Sequence, residues 1–162
     1  MSNKIIFGSL AVLGSLAIKK MIDGGKNLVK LACPIATKDL MVNTENRNDA
    51  IQNPNIQYGP LNLFDQSYWV RLGQHWRTTP DVAKRSNCGN CVAFDISPRM
   101  IDCINAGPVS AEDEEVGAGK LGYCWMRHFK CHSARSCYTW AAGGPIRRDK
   151  VSEKWQNKAK KV

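Results

Sequence analysis

Six cysteines fall within fifty residues of this chain, spaced Cys88-x2-Cys91-x11-Cys103-x20-Cys124-x6-Cys131-x5-Cys137. The pair Cys88-Gly89-Asn90-Cys91 is the anchor. Two intervening residues let both sulfurs face one metal, and glycine permits the tight turn this needs. The same stretch holds Pro98, Gly107, Pro108, Gly117, Gly119, Gly122, Gly143, Gly144 and Pro145. That density of turn residues suits a small, loop-rich module folded around something other than a large apolar core. Three occupants are open on spacing. Disulfides need an oxidising compartment. Structural zinc wants a tetrahedral set, usually from two close pairs, and only one such pair exists here. An iron–sulfur cluster accepts thiolates from widely spaced positions, so one close pair plus distant cysteines suits it best. Phe94, Tyr123, Trp125, Phe129 and Trp140 bracket the cysteines and would exclude water from such a centre.

The rest of the chain divides around this module. Residues 1–31 read as a helical arm interrupted at Gly24-Gly25. Within it, an apolar run from Ile5 to Ile18 lies between Lys4 and Lys19-Lys20. The run is short for a bilayer, which needs about 20 residues. It reads as a helix docked on a partner protein, with a cleaved signal or a surface membrane helix as competitors. Residues 32–64 are crowded with asparagine and carry Pro54, Gly59 and Pro60, which predicts an extended strap. Cys33 stands alone and reads as a buried thiol. From Asp65 an amphipathic helix is predicted to His75, with Asp65 as N-cap and Tyr68, Trp69 and Leu72 on its apolar face. Thr78 or Thr79 caps a second short helix with Pro80 in its first turn. The module therefore spans 65–146, and 147–162 is a basic tail. The expected fold class is a small, loop-rich α+β protein: helical arm, irregular strap and cysteine-rich module around a metal cluster.

The residues Cys88-x2-Cys91, Phe94, Pro98, Cys103 and Gly122-Tyr123-Cys124 with Trp125 resemble the high-potential iron–sulfur proteins. That family binds one [4Fe–4S] cluster through four cysteines. Carried over residue by residue, the resemblance implies the ligands Cys88, Cys91, Cys103 and Cys124. Tyrosine stands here where the family has tryptophan, and the gap before Cys124 is longer. A wider resemblance rests on Tyr58-Gly59-Pro60-Leu61-Asn62, on the run from Ser86 to Asp95, and on the run from Leu121 to Pro145. These are similar to small cysteine-rich proteins of tailed phages of marine cyanobacteria, over roughly residues 43–146. In related particles, tail-hub components carry iron–sulfur clusters. The resemblance implies a virion structural protein, made in the host cytoplasm and placed in the tail, neck or capsid-associated part of the particle. Cys131 and Cys137 belong to the same phage-like stretch, and either can replace Cys103 as fourth ligand or pair with the other as a disulfide.

The net charge is +9, and Arg147, Arg148, Lys150, Lys154, Lys158, Lys160 and Lys161 crowd the C-terminus. A basic tail of this kind contacts DNA or an acidic partner, or is simply a solvated end. His128 and His132 have the spacing of two ligands on one helix face, with Cys131 between them. Arg135 is placed to donate to a cluster sulfur or pair with an acid. The acidic run from Glu112 to Glu115 reads as a solvated loop. No Ser/His/Asp set, P-loop or paired-acid motif is present, so no enzyme is expected. The leading expectation is a virion subunit, oligomeric through its arm and strap and stiffened by a [4Fe–4S] cluster. Its competitors are a small electron carrier and a zinc-stapled nucleic-acid-binding module.

Overall fold

A computed structural model describes residues 32–60, 64–109 and 119–159. The predicted N-terminal arm and the acidic run at 112–115 lie outside the described residues. Within them the chain is a small mixed α/β protein of six helices and one three-stranded antiparallel sheet. In chain order these are α1 (Ile35–Lys38), α2 (Leu40–Gln52), α3 (Gln66–His75), α4 (Pro80–Arg85), β1 (Phe94–Asp95), α5 (Pro98–Asn105), β2 (Leu121–Cys124), β3 (Phe129–His132) and α6 (Asp149–Ala159). The sheet order is β1-β2-β3, with Phe94 opposite Cys124 and Cys124 opposite Phe129.

Strand alternation sorts the sheet's side chains into two cores. On one face Phe94, Phe129 and Cys131 pack with Ala50, Ile56, Tyr58, Cys88, Cys91 and Ala93. On the other face Tyr123 packs with Ala36, Met100, Cys103, Ile104, Trp125 and Ile146. The module thus has ordinary apolar cores, contrary to the expectation from its turn content. The sequence carried a signal of apolar packing in its aromatic residues, which supply the four largest fully buried side chains, Trp69, Tyr123, Phe94 and Phe129.

The expected strap is the main correction. Residues 40–52 are helical, and asparagine is the reason rather than the obstacle. Asp39 caps α2 by accepting from the Met41 and Val42 N–H groups. Asn43 is buried, and its Oδ1 accepts the Lys130 N–H of β3 at 2.7 Å. Asn46 Nδ2 donates to the His128 carbonyl at 2.7 Å. α2 has no apolar stripe, so these tertiary hydrogen bonds hold it where propensity alone would not.

The helix at 66–75 forms as expected, with Asp65 accepting from the Tyr68 N–H. So does the next, where Thr79 caps and Pro80 opens the first turn. Trp69, Leu72 and Ala83 are fully buried between this helix pair. Tyr68 ties the pair to the cysteine module, its hydroxyl donating to the carbonyls of Gln57 (3.0 Å) and Ser136 (2.9 Å).

Cys33 is not a lone thiol. It is disulfide-bonded to Cys103 on α5, across a sequence separation of 70 residues. The bond fixes the start of the described chain against α5 in the second core. In a chain-entropy account a loop of 70 residues contributes about 4 kcal/mol. The double variant Cys33→Ser/Cys103→Ser is therefore expected to lose stability on that scale in urea denaturation, with its sheet retained in circular dichroism.

Candidate metal centre

The remaining five cysteines, Cys88, Cys91, Cys124, Cys131 and Cys137, are all free and belong to one core. Three structural devices bring them together. First, the Cys88–Asn90 turn is locked by its asparagines. Asn90 Oδ1 accepts from the Asn87 N–H, and Asn90 Nδ2 donates to the Arg85 carbonyl at 2.7 Å. The Cys91 N–H closes the turn onto the Cys88 carbonyl at 2.9 Å. Second, the β2–β3 register puts Gly122 opposite Cys131 and Phe129 opposite Cys124. Cys124 and Cys131 therefore share one sheet face as diagonal neighbours. Gly122 leaves space there for Phe94, whose ring atoms lie 2.5 Å from where a Cβ would sit.

Third, the chain after β3 wraps the Cys88 turn. Cys88 N–H donates to the Arg135 carbonyl (2.7 Å) and Gly89 N–H to the Ser133 carbonyl (2.8 Å). Farther on, Val92 N–H donates to the Ala141 carbonyl and Gly144 N–H to the Asn90 carbonyl. Trp140 closes the wrap, its indole N–H shared between the Asn87 carbonyl and Asn90 Oδ1, both at 2.9 Å. This segment carries Cys137 to the other sulfurs.

The sulfurs differ in their partners. Cys124 is held below the ordinary thiol pKa by a hydrogen bond from Cys131, helped by the N–H groups of Met126 and Arg127. Cys91 is pushed up by burial, against N–H donors from Ala141 and Ala93. Cys137 is pushed up to about 12 by burial, while the Thr139 hydroxyl and N–H oppose the rise. Cys131 is raised well above the ordinary value by burial and donates toward Cys124 and Cys88. So Cys91, Cys124 and Cys137 each accept a backbone N–H from two residues ahead, the donors a metal-bound thiolate requires. Cys131 lies inside a strand and faces other sulfurs.

The expected ligand set is thus brought together only in part. Cys88, Cys91 and Cys124 converge, whereas Cys103 is bonded to Cys33 in the opposite core. The resemblance to the high-potential iron–sulfur proteins put Cys103 in the ligand set, with Cys131 or Cys137 as its replacement. The signal for Cys137 was its place with Cys131 in the phage-like stretch from Leu121 to Pro145. The histidine pair does not share a helix face. His128 sits at the hairpin turn with φ 56°, and His132 is buried in β3. His75 stacks on Tyr138 with ring centroids 4.0 Å apart. Arg135 donates to the Gly59 carbonyl at 2.9 Å and lies 5.3 Å from the Tyr58 ring centroid. Among the described residues, no group of three or more His, Cys, Asp or Glu is arranged around a single ion. Comparison with protein-family models, curated proteins and solved structures finds no match to this chain.

Proposed function

We propose that this chain is a structural subunit of a tailed-phage virion whose cysteine core holds a [4Fe–4S] cluster through Cys88, Cys91, Cys124 and Cys137. The observation that carries the cluster is the convergence of five free cysteines in one core, three of them with backbone donors aimed at sulfur. Buried thiols collected in this way fit the donor chemistry of an iron–sulfur centre. Bound, the cluster would cross-link the Cys88 turn, the end of β2 and the Cys137 loop. The chain's own residues supply the rest. Trp140 and Asn90 fix the turn, and Phe94, Phe129 and Trp140 keep water out. The particle assignment rests on the phage-like stretches from Ser86 to Asp95 and from Leu121 to Pro145.

The electron-carrier reading has one observation of its own. Trp140, half-buried beside Cys137, has its ring 5.5 Å from that of Trp76, so an aromatic pair leads away from the sulfurs. Iron and acid-labile sulfide analysis of anaerobically purified protein tests the centre itself, with about four of each per chain expected. Colourless protein with zinc or no metal would sink the cluster. Stoichiometric recovery of the chain in purified virions is expected; reversible one-electron chemistry in a chain never found in particles would favour the carrier.

A further inference from the structure

The C-terminal basic segment is not a frayed tail over its first three turns. From Asp149 to Ala159 it is helical, and one side of it is docked. The Arg99 N–H donates to Asp149 Oδ1 (3.0 Å), Arg99 Nη2 to Ser152 Oγ (2.9 Å), and Gln156 Nε2 to the Ala32 carbonyl (2.6 Å). Ser152 and Gln156 are buried, and Val151, Trp155 and Ala159 pack against the second core.

Docking one face organises the other. Lys150, Lys154 and Lys158 recur at every fourth residue, and all three are exposed. At ~1.5 Å rise per residue they form a cationic row that climbs about 12 Å along the axis, one charge per ~6 Å, inclined to it like any row of every fourth residue. Exposed Asn157 and half-buried Glu153 lie beside the row, and the Lys158 ammonium sits 5.9 Å from the centroid of the Trp155 ring. Arg147 and Arg148, just before the helix, are also exposed. Arg147 also shares with Lys120 the rim of a hollow of about 260 Å³.

We propose that this face of α6 binds the phosphate backbone of duplex DNA without reading its sequence. Two features favour a polyanion over an acidic protein. Protein interfaces concentrate aromatic and apolar residues at their centre and are depleted of lysine; here the exposed positions of the row are lysines and the one aromatic neighbour, Trp155, is half-buried against the core. An evenly spaced row on a docked helix also matches a uniform charged rod, which presents one phosphate per ~1.7 Å of duplex axis.

The test uses the full-length protein and a fluorescein-labelled, mixed-sequence duplex, followed by anisotropy across a salt series. Each lysine contact contributes about 0.9 to the slope of log affinity against log salt. The variant Lys150→Gln/Lys154→Gln/Lys158→Gln is expected to bind at least tenfold more weakly at low salt. Its slope should fall by between two and three. A control, Lys38→Gln/Arg71→Gln/Arg85→Gln, removes the same charge from exposed positions elsewhere and is expected to leave affinity within twofold. Equal losses in both variants would reduce the effect to net charge and overturn the proposal. So would an unchanged slope in the α6 variant, or polyglutamate competing as well as duplex DNA at equal charge concentration.

Discussion

Serine at Cys88, Cys91, Cys124 or Cys137, introduced one at a time, is expected to strip most of the iron from the purified protein, at least threefold. Serine at Cys103 or Cys131 is expected to leave iron near the wild-type level. The two groups differ in position and partners, and Cys103 and Cys131 are also the more deeply buried, at 3% and 1% exposed. Cys103 already has a covalent partner in Cys33 and lies across the sheet from the other sulfurs. Cys131 is inside β3, paired through its backbone with Gly122, and its thiol donates to Cys124 and Cys88. Serine there keeps a donor, at a modest cost in packing. The measurement is iron and sulfide per chain, with visible absorption of each variant. Iron lost from Cys131→Ser but kept in Cys137→Ser would move the fourth ligand into the strand. Iron lost from Cys103→Ser would return the centre to the set implied by the resemblance to high-potential iron–sulfur proteins.

A single methyl group at position 144 is expected to do comparable damage without touching a sulfur. A Cβ built on Gly144 falls 1.6 Å from the Cys91 carbonyl oxygen and 2.3 Å from its carbon. Both are backbone atoms, so no side chain can rotate away. The wrap from Ala141 to Ile146 would have to lift off the Cys88 turn. That lift strains the Val92 N–H bond to Ala141 (2.8 Å) and the Ile146 N–H bond to Phe94 (2.7 Å). Gly144→Ala should therefore cost ~3 kcal/mol or more in urea denaturation, with a matching fall in bound iron. Gly143→Ala is a useful comparison. Its Cβ would meet only Val92 side-chain carbons at 3.6 Å and beyond, but its φ of +123° makes any side chain strained for a different reason. A Gly144→Ala protein as stable as wild type would show that the wrap is looser than described.

What could be read in the sequence followed local rules. Asp65, Thr79 and Pro80 announce their helices because a cap and a proline act within one turn. Cys88 and Cys91 announce their turn for the same reason. What could not be read depends on contacts between distant residues. Asn43 reads as a turn former until β3 is placed beside it, 87 residues away in sequence. The same limit hid the pairing of Cys33 with Cys103 and left Cys131 and Cys137 undistinguished as replacements for Cys103. Spacing orders cysteines along the chain, but only the register of β2 on β3 decides which side of the sheet a sulfur occupies. His128 and His132 illustrate the point: four residues apart means one face in a helix, but a hairpin separates turn from strand.

The sheet also acts as a partition. Tyr123, 1% exposed, stands on the Cys103 side, while its neighbour Cys124 and the cross-strand Cys131 stand on the other. Thiol–disulfide exchange needs an attacking sulfur to reach the bond along an open path. A wall of packed aromatic rings closes that path, so the oxidised pair and the reduced group coexist in one small fold without scrambling.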